Sequence, residues 1–362
     1  MQRLALYWLA VLLHIGGWAI YYSVSRSLEA IIGFSGILLL AALETLPSAL
    51  SIPSSSVAAS RGYRGLLIFG FVEALGLLLF AVIPWPYSSL GVLVASIGWA
   101  IAGPHTVTAV LESSSSSSKL GVVLSSGALG WSLGGFLGPL LYDATGLTGS
   151  MLVAFLMITG CYVIFLANLP EGAASPGGSR VGALETLAYS LALSPLIVAM
   201  ETSFSLIMGR IASELPSLHY ALVLAGTGLT SALGKVIAGV VIDRIGGTVI
   251  YRASFAAYSI WMVASSQLGG YALAAAFLTP IFPFYEIGYY THVSRLLGER
   301  RATAAWAASY TLASLHLFTL SVLELSFVEA LIISSILAFA SLVVTTLVER
   351  WITRRVAPQQ RY

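Results

Sequence analysis

The feature that most constrains this chain is a succession of apolar runs, each close to 20 residues long and nearly free of charge. Twelve such runs can be counted along the 362 residues. A helix needs about 20 apolar residues to cross a bilayer, and helices satisfy every backbone polar group there. Charged residues make up only 9% of the sequence, against about 25% in a soluble domain. We therefore expect an all-α polytopic membrane protein whose outer surface contacts lipid.

The twelve runs fall into two groups of six. The longest polar interruption is LPEGAASPGGSRVG at 169–182, and its Pro, Gly and Ser content is typical of a flexible linker. This pattern predicts a bundle at 1–169, a linker at 170–183, a second bundle at 184–350 and a tail at 351–362. The predicted spans are 4–24, 31–53, 65–84, 88–111, 119–142, 148–169, 184–210, 218–242, 249–267, 271–293, 302–323 and 327–349.

Positive charge is distributed unevenly between the two sets of turns. Of the 17 Lys and Arg residues, Lys235 lies within a predicted span, and only Arg26 and Arg210 fall on the face opposite both termini. Loops rich in Lys and Arg stay on the cytoplasmic side. The sequence therefore predicts a multi-pass protein of the plasma membrane with both termini in the cytoplasm.

A charged turn separates predicted spans 8 and 9, in the sequence Gly239-Val-Val-Ile-Asp243-Arg244-Ile-Gly246. The glycines permit positive φ and close backbone approach. Asp243 can accept backbone N–H bonds at a helix start, and Arg244 can pair with acids or lipid headgroups. A generic turn at the positively charged face is one interpretation. The pattern also resembles the signature between the second and third helices of each half of major facilitator superfamily transporters.

A glycine stripe marks predicted span 5, where Gly130, Gly134 and Gly138 share one helix face directly before Pro139. Such spacing permits close helix packing, and the proline can kink the helix. A simple packing seam is one interpretation. The stretch also resembles the G-x-x-x-G-P motif in helix 5 of antiporters of the same superfamily. The usual trailing glycine pair is absent, and span 4 lacks the arginine that drug antiporters usually carry there.

The resemblance implies a fold and a way of working. It implies twelve transmembrane helices in two pseudo-symmetric six-helix bundles, which rock around a site near the bilayer midplane. Helices 1, 4, 7 and 10 of this fold would line the central cavity. A small organic solute would then be moved by alternating access, with no cofactor required.

Ionisable side chains inside predicted spans are the best indicators of a site, because each costs about 2.5–3.5 kcal/mol at a helix centre. Glu201 and Glu286 lie on cavity-lining helices, and Tyr289 and Tyr290 follow Glu286 on its helix face. A desolvated carboxyl group can take up and release protons near neutral pH, as a proton-coupled carrier requires. The full set of such ionisable residues is His14, Glu44, Glu73, His105, Glu201, Arg210, Lys235, Glu286, His292 and His316.

The remaining candidates have competing structural interpretations. His14 and His316 titrate near physiological pH, yet isolated histidines are more often packing residues. His14 begins an aromatic stripe that continues with Trp18, which can stack on an organic substrate or cation or pack in the core. Glu44 precedes a proline toward the cytoplasmic half and could coordinate an inner gate. Glu73 is expected to pair within its own bundle, and Lys235 to reach the inner face or pair with Glu286 or Glu44.

The leading prediction is a proton-coupled transporter that exports a small organic solute by antiport, with the solute, protons and lipid as its partners. Uptake of a sugar, carboxylate or other metabolite by symport or uniport is the alternative. A membrane enzyme is disfavoured because no HExxH motif occurs and the five histidines lie on five segments. A non-transporting sensor remains a remote alternative, because Ser60 replaces the turn acid in the first half. We expect a monomer with no metal site, no cofactor and no nucleic-acid partner.

Overall fold

The computed structural model describes residues 2–113, 117–168, 182–323 and 325–356, and within these residues all regular structure is helical. Short 3-10 turns occur at Leu46–Leu50 and Leu66–Ile68. The α-helices are α1 (Gln2–Ser27), α2 (Glu29–Thr45), α3 (Ser51–Arg61), α4 (Phe69–Val82), α5 (Ser89–Ser113), α6 (Ser117–Asn168), α7 (Ala183–Glu214), α8 (Ser217–Ile245), α9 (Gly247–Ser266), α10 (Gly270–Phe277), α11 (Ile281–Leu297), α12 (Glu299–Val322) and α13 (Phe327–Val356).

These helices correspond to the twelve predicted spans, although four of the spans are not separate, continuous helices. The second span consists of α2 and α3, which are separated by the 3-10 turn that contains Pro47. The tenth consists of α10 and α11, which are separated just before Ile281 by Pro280, a residue that cannot continue a helix. The fifth and sixth join in α6, where Gly146 bends the chain at a φ of 69°. Within the part of the chain that the structure describes, seven helical segments are long and apolar enough to cross a membrane by length and composition alone.

The hydrophobic core is divided between two bundles. One cluster of buried side chains contains only residues between Tyr7 and Phe165. The other runs from Tyr189 to Ile352 and also includes four residues of α2, of which Ile37 is one. The chain is thus an all-α polytopic protein with two six-helix bundles. Most of the predicted linker at 170–183 lies outside the described residues. Helix α13 continues through Val356, so the first six residues of the predicted tail at 351–362 are helical.

The glycine stripe of α6 is a packing seam against α1. A Cβ atom on Gly134 would overlap the carbonyl oxygen of Gly16, and one on Gly130 would overlap that of Leu12. Gly138 lies equally close to the side chain of Ser23. Because these three positions of α6 carry no side chain, the backbones of α1 and α6 approach each other closely. Pro139 lies inside the same helix.

The charged turn between α8 and α9 differs from expectation in one respect. Asp243 was predicted at the start of a helix, but it lies in the last turn of α8, which ends only at Ile245. Gly246 then reverses the chain with a φ of 91° and a ψ of 143°, a conformation that favours glycine. Asp243 and Arg244 are exposed, and no described residue bonds to either. A Cβ atom on Gly239 would meet nothing within 4 Å.

Described hydrogen bonds between the two bundles occur at mid-depth and toward one end of the molecule. We call this end, where α1 and α7 finish and α2 and α8 begin, the Arg26 end. There the Tyr220 hydroxyl donates to the carbonyl oxygen of Ser23 at 3.2 Å. The Ser132 hydroxyl donates to the carbonyl oxygen of Ala225 at 2.7 Å. At mid-depth the Thr311 hydroxyl donates to the carbonyl oxygen of Leu46 at 3.0 Å. The described hydrogen bonds between the bundles therefore lie at mid-depth or toward the Arg26 end.

Candidate functional site

A buried ion pair joins α1 to α2 between the bundles. The guanidinium of Arg26 donates from Nη1 to Glu44 Oε1 at 2.6 Å and from Nη2 to Oε2 at 2.8 Å. Arg26 is fully buried and Glu44 is 7% exposed. The Tyr21 hydroxyl donates to the same carboxylate at 2.7 Å. Such bidentate, charge-assisted bonds hold both side chains in one orientation.

Arg26 also reaches the second bundle. Its Nη2 donates to the hydroxyl of Ser205 on α7 at 2.9 Å, and its guanidinium lies 4.8 Å above the ring of Tyr22. The sequence prediction placed Arg26 in an aqueous turn, which is wrong. Because α1 continues to Ser27, Arg26 occupies its last turn, and the side chain turns inward toward Glu44. Glu44 is thus bonded to Arg26 and Tyr21, and its expected role at an inner gate stays a prediction.

Glu201 lies one helical turn before Ser205 and has no such partner. It is partly exposed, and no described residue forms a hydrogen bond or ion pair with it. Charged and hydroxyl groups of four other helices lie within electrostatic range of its carboxylate. These are Tyr22, Arg26, Glu44, Tyr258 and Tyr310.

A second ion pair lies in the second bundle. Lys235 Nζ on α8 is 3.0 Å from Glu286 Oε2 on α11, and the two side chains are 24% and 25% exposed. Tyr258 and Tyr310 lie within electrostatic range of both Glu286 and Glu201. Tyr258 and Tyr310 are thus neighbours of both the Lys235–Glu286 pair and the Glu201 carboxylate, and the coupling role predicted for the two glutamates stays a prediction.

Aromatic rings from both bundles meet beside Glu201. The Tyr22 and Trp131 centroids are 5.8 Å apart, Trp131 and Phe204 are 5.6 Å apart, and Phe204 and Phe277 are 5.8 Å apart. We call these four residues the aromatic wall. Trp131 also donates from Nε1 to the Thr227 hydroxyl on α8 at 3.1 Å. Tyr22, Trp131 and Phe204 are all partly exposed.

His14 and Trp18 belong to a separate polar cluster inside the first bundle. His14 Nε2 lies 2.7 Å from Glu73 Oε1, and Trp18 Nε1 donates to the same oxygen at 2.6 Å. The Tyr162 hydroxyl donates to Glu73 Oε2 at 2.5 Å. Glu73 is fully buried and pairs within its own bundle, as expected. His14 is thereby directed at Glu73 and away from the second bundle.

The other candidates have more local surroundings. Tyr289 is buried, and its hydroxyl donates to the Ala302 carbonyl at 2.7 Å, so it joins α11 to α12. Tyr290 is 50% exposed, and its ring stacks on Trp306 at 5.9 Å. His316 is exposed, with Nδ1 3.0 Å from the Leu312 carbonyl of its own helix. No described contact joins His316 to the other candidates.

A further charged cluster lies at the end of the second bundle opposite the Arg26 end. Glu349 on α13 lies 2.6 Å from Arg252 Nη2 and 3.0 Å from His292 Nε2. The Thr248 hydroxyl lies 2.8 Å from His292 Nδ1. These bonds tie α9, α11 and α13 together. Among the described residues no group of three or more His, Cys, Asp or Glu could hold a metal ion.

Sequence reasoning missed Arg26, Trp131 and Phe204 as members of the site. A signal for Arg26 existed, because Trp18, Tyr22 and Arg26 follow one another at four-residue spacing along α1. No comparable signal identified Trp131 or Phe204, because their neighbourhood depends on how α6 and α7 approach each other.

Comparison with known proteins gives similarity of structure alone. No protein-family model matches the sequence, and no curated protein matches it. An auto-inhibited POT family peptide transporter superposes with a TM-score of 0.72 at 10% identity, covering 98% of this chain and 97% of that one. The nucleoside transporter NupG gives 0.69 at 12% identity, covering 96% and 98%. The E. coli fucose:proton symporter FucP gives 0.62 at 13% identity, covering 96% and 98%.

These superpositions include nearly every helix of both chains in each pair. They agree with the all-helical, twelve-span layout described above. At 10–13% identity they establish the fold and leave the solute and the coupling ion open. This chain therefore has the twelve-helix fold of the major facilitator superfamily transporters.

Proposed function

We propose that this protein is a secondary transporter that moves a small organic solute by alternating access and couples that movement to protons by antiport. The observation that carries the proposal is Glu201, a carboxylate without a described partner at mid-depth between two bundles. Transport by rocking bundles requires a site at their interface that can face either side in turn. The two ion pairs and the aromatic wall surround such a site.

The contacts between the bundles favour this mode of action. At the Arg26 end the bundles are joined by hydrogen bonds from Arg26 to Ser205 and from Tyr220 to Ser23, and by the rings of the aromatic wall. A neutral hydrogen bond contributes about 1 kcal/mol and one to a charged group about 1.5–3 kcal/mol, so binding of a solute could offset their loss.

Glu201 is the proposed proton carrier, and Glu286 has a different proposed role, in positioning the solute. Lys235 already balances the charge of Glu286, so protonation there would leave a cation exposed in the site. Glu201 has no such partner, so its protonation removes an uncompensated negative charge from a desolvated region. We therefore place the transported proton on Glu201 and assign the Lys235–Glu286 pair to positioning of the solute.

The test uses sealed proteoliposomes that contain purified protein and a trapped pH dye. Solutes are added one class at a time, namely organic cations, nucleosides, dipeptides and fucose, the last three because the similar structures bear those names. Proton flow opposite to an added compound, lost in Glu201→Gln, would support the proposal. Asp143→Asn is the matched control, because Asp143 is an exposed carboxylate in the turn region of α6 and its loss should leave the flow unchanged.

Symport is the second candidate, because one structurally similar protein is named a fucose:proton symporter. Proton flow in the same direction as an added compound would establish it and overturn antiport. Solute uptake without proton flow would establish uniport and remove Glu201 from the coupling. Failure of every compound class to cross the membrane would contradict transport itself.

A further inference from the structure

The ionisable groups of the central site do not balance. Arg26 and Glu44 form one pair and Lys235 and Glu286 form another, so their charges cancel. Glu201 remains, and the site carries one net negative charge when all five groups are ionised. An uncompensated charge in a desolvated region is costly unless a counter-charge joins it. The site is therefore complementary to a species with one positive charge.

The cations already in the site are poorly placed to bind an anionic solute. Arg26 Nη1 donates to Glu44 and Ser25, and Nη2 donates to Glu44 and Ser205. Its Nε is buried without a described partner, so no solvent-accessible edge of the guanidinium remains. Lys235 is held 3.0 Å from Glu286. An anionic solute would therefore find both terminal nitrogens of Arg26 bonded and the charge of Lys235 already shared with Glu286.

The aromatic wall supplies a second recognition element next to Glu201. Phe204 follows Glu201 by three residues and shares its helix face, and Tyr22 lies within electrostatic range of the Glu201 carboxylate. Ring faces attract cations through their quadrupole and bury apolar groups at the same time. The guanidinium of Arg26 above the Tyr22 ring at 4.8 Å shows that one face of this wall already holds a cation.

We propose that the solute is a monovalent organic cation with an apolar, ring-bearing body, bound with its charge at Glu201 and its body against Tyr22, Trp131 and Phe204. The binding of such a cation does not depend on transport. The statement that this cation is the transported solute rests on the proposed function.

A proton and an organic cation would then compete for the same carboxylate. The charged and titratable groups around Glu201 come from four helices and remain in place in both forms of the site. They are Tyr22 and Arg26 on α1, Glu44 on α2, Tyr258 on α9 and Tyr310 on α12. Since one proton displaces one cation, the apparent Kd should rise by up to tenfold per pH unit as Glu201 becomes protonated. This competition would itself produce one-for-one exchange.

Binding is measured on the full-length protein in detergent by titration calorimetry. The probes are tetraphenylphosphonium, ethidium and benzyltrimethylammonium, and tetraphenylborate serves as the anion of matched shape. We expect at least one cation to bind and tetraphenylborate to fail. Glu201→Gln should weaken cation binding by roughly 10- to 100-fold, the range for a lost bond to a charged group. Glu201→Asp should retain part of the affinity, and Asp143→Asn all of it.

The variants are first compared by size-exclusion profile and thermal unfolding, and Glu201→Asp, which keeps the carboxylate, reports on the site if Glu201→Gln is unstable. Three results would each overturn the proposal. They are binding of tetraphenylborate, a cation affinity of Glu201→Gln equal to that of the unmodified protein, and cation binding that does not change with pH. Failure of all three cations to bind would do the same.

The proteoliposome assay separates this inference from the proposed function. Transport of a neutral nucleoside or sugar without cation binding would refute the solute class and leave the transporter in place. Cation binding at Glu201 without movement of any solute would refute transport and leave the binding site in place.

Discussion

Arg26 and Glu44 offer a direct test of how the interior of this protein is stabilised. The pair makes two bonds of 2.6 and 2.8 Å and is almost completely buried. Glu44→Gln removes one charge and leaves the Arg26 guanidinium with Ser205, Ser25 and a neutral amide. Breaking a buried pair from one side costs about 3–5 kcal/mol, because the remaining charge loses its partner and stays desolvated. We expect that loss in the free energy of unfolding, measured by SDS titration in mixed micelles.

The double variant decides whether the cause is the unpaired charge. Arg26→Met alone should also cost about 3–5 kcal/mol, because it strands the Glu44 carboxylate, to which only the Tyr21 hydroxyl would still donate. Combining Arg26→Met with Glu44→Gln removes both charges, so the double variant should lose clearly less than the sum of the single losses. Additive losses, or single losses below about 1 kcal/mol, would refute the description of this contact as a desolvated ion pair.

Two further predictions concern how the helices pack and move. Gly134→Ala should lower the free energy of unfolding by about 1–3 kcal/mol, because the added Cβ overlaps the α1 backbone. The control Gly239→Ala on α8 meets nothing within 4 Å and should be neutral in the same titration. Equal effects of the two changes would contradict the packing seam between α6 and α1. Ser205→Ala should remove about 1 kcal/mol or more from the closed Arg26 end, which shifts the open fraction roughly fivefold. Spin labels at Asp143→Cys and Leu218→Cys, one on each bundle, would report that shift as longer distances, and an unchanged distance distribution would show that the Arg26–Ser205 bond does not hold the bundles together.

Local sequence signals predicted the broad layout because the bilayer imposes it. Runs of about 20 apolar residues indicate helices irrespective of what the helices contact, and Gly246 marked the end of α8 because a φ of 91° favours glycine. The glycines of α6 predicted close packing for the same kind of reason. The residue at which α13 ends was less predictable, since helix termini depend on neighbouring turns.

The composition of the site was only partly predictable. Glu201 and Glu286 could be identified because an acid in an apolar span is expensive wherever it points. The difference between these two acids could not be predicted, because it depends on Lys235 meeting Glu286 while no described residue pairs with Glu201. His14 was an equally good candidate in sequence, yet it faces Glu73 within the first bundle.

The sequence by itself determined that this is a twelve-span helical membrane protein with two halves and a few acids in its interior, because hydropathy and glycine conformation are properties of single segments. Only the tertiary structure decided which of those acids are neutralised. The bond from Arg26 to Glu44 joins residues 18 positions apart, and the bond from Arg26 to Ser205 joins residues 179 apart. Such pairings depend on how separate helices dock, and the charge left over after docking, on Glu201, carries the chemistry proposed for this site.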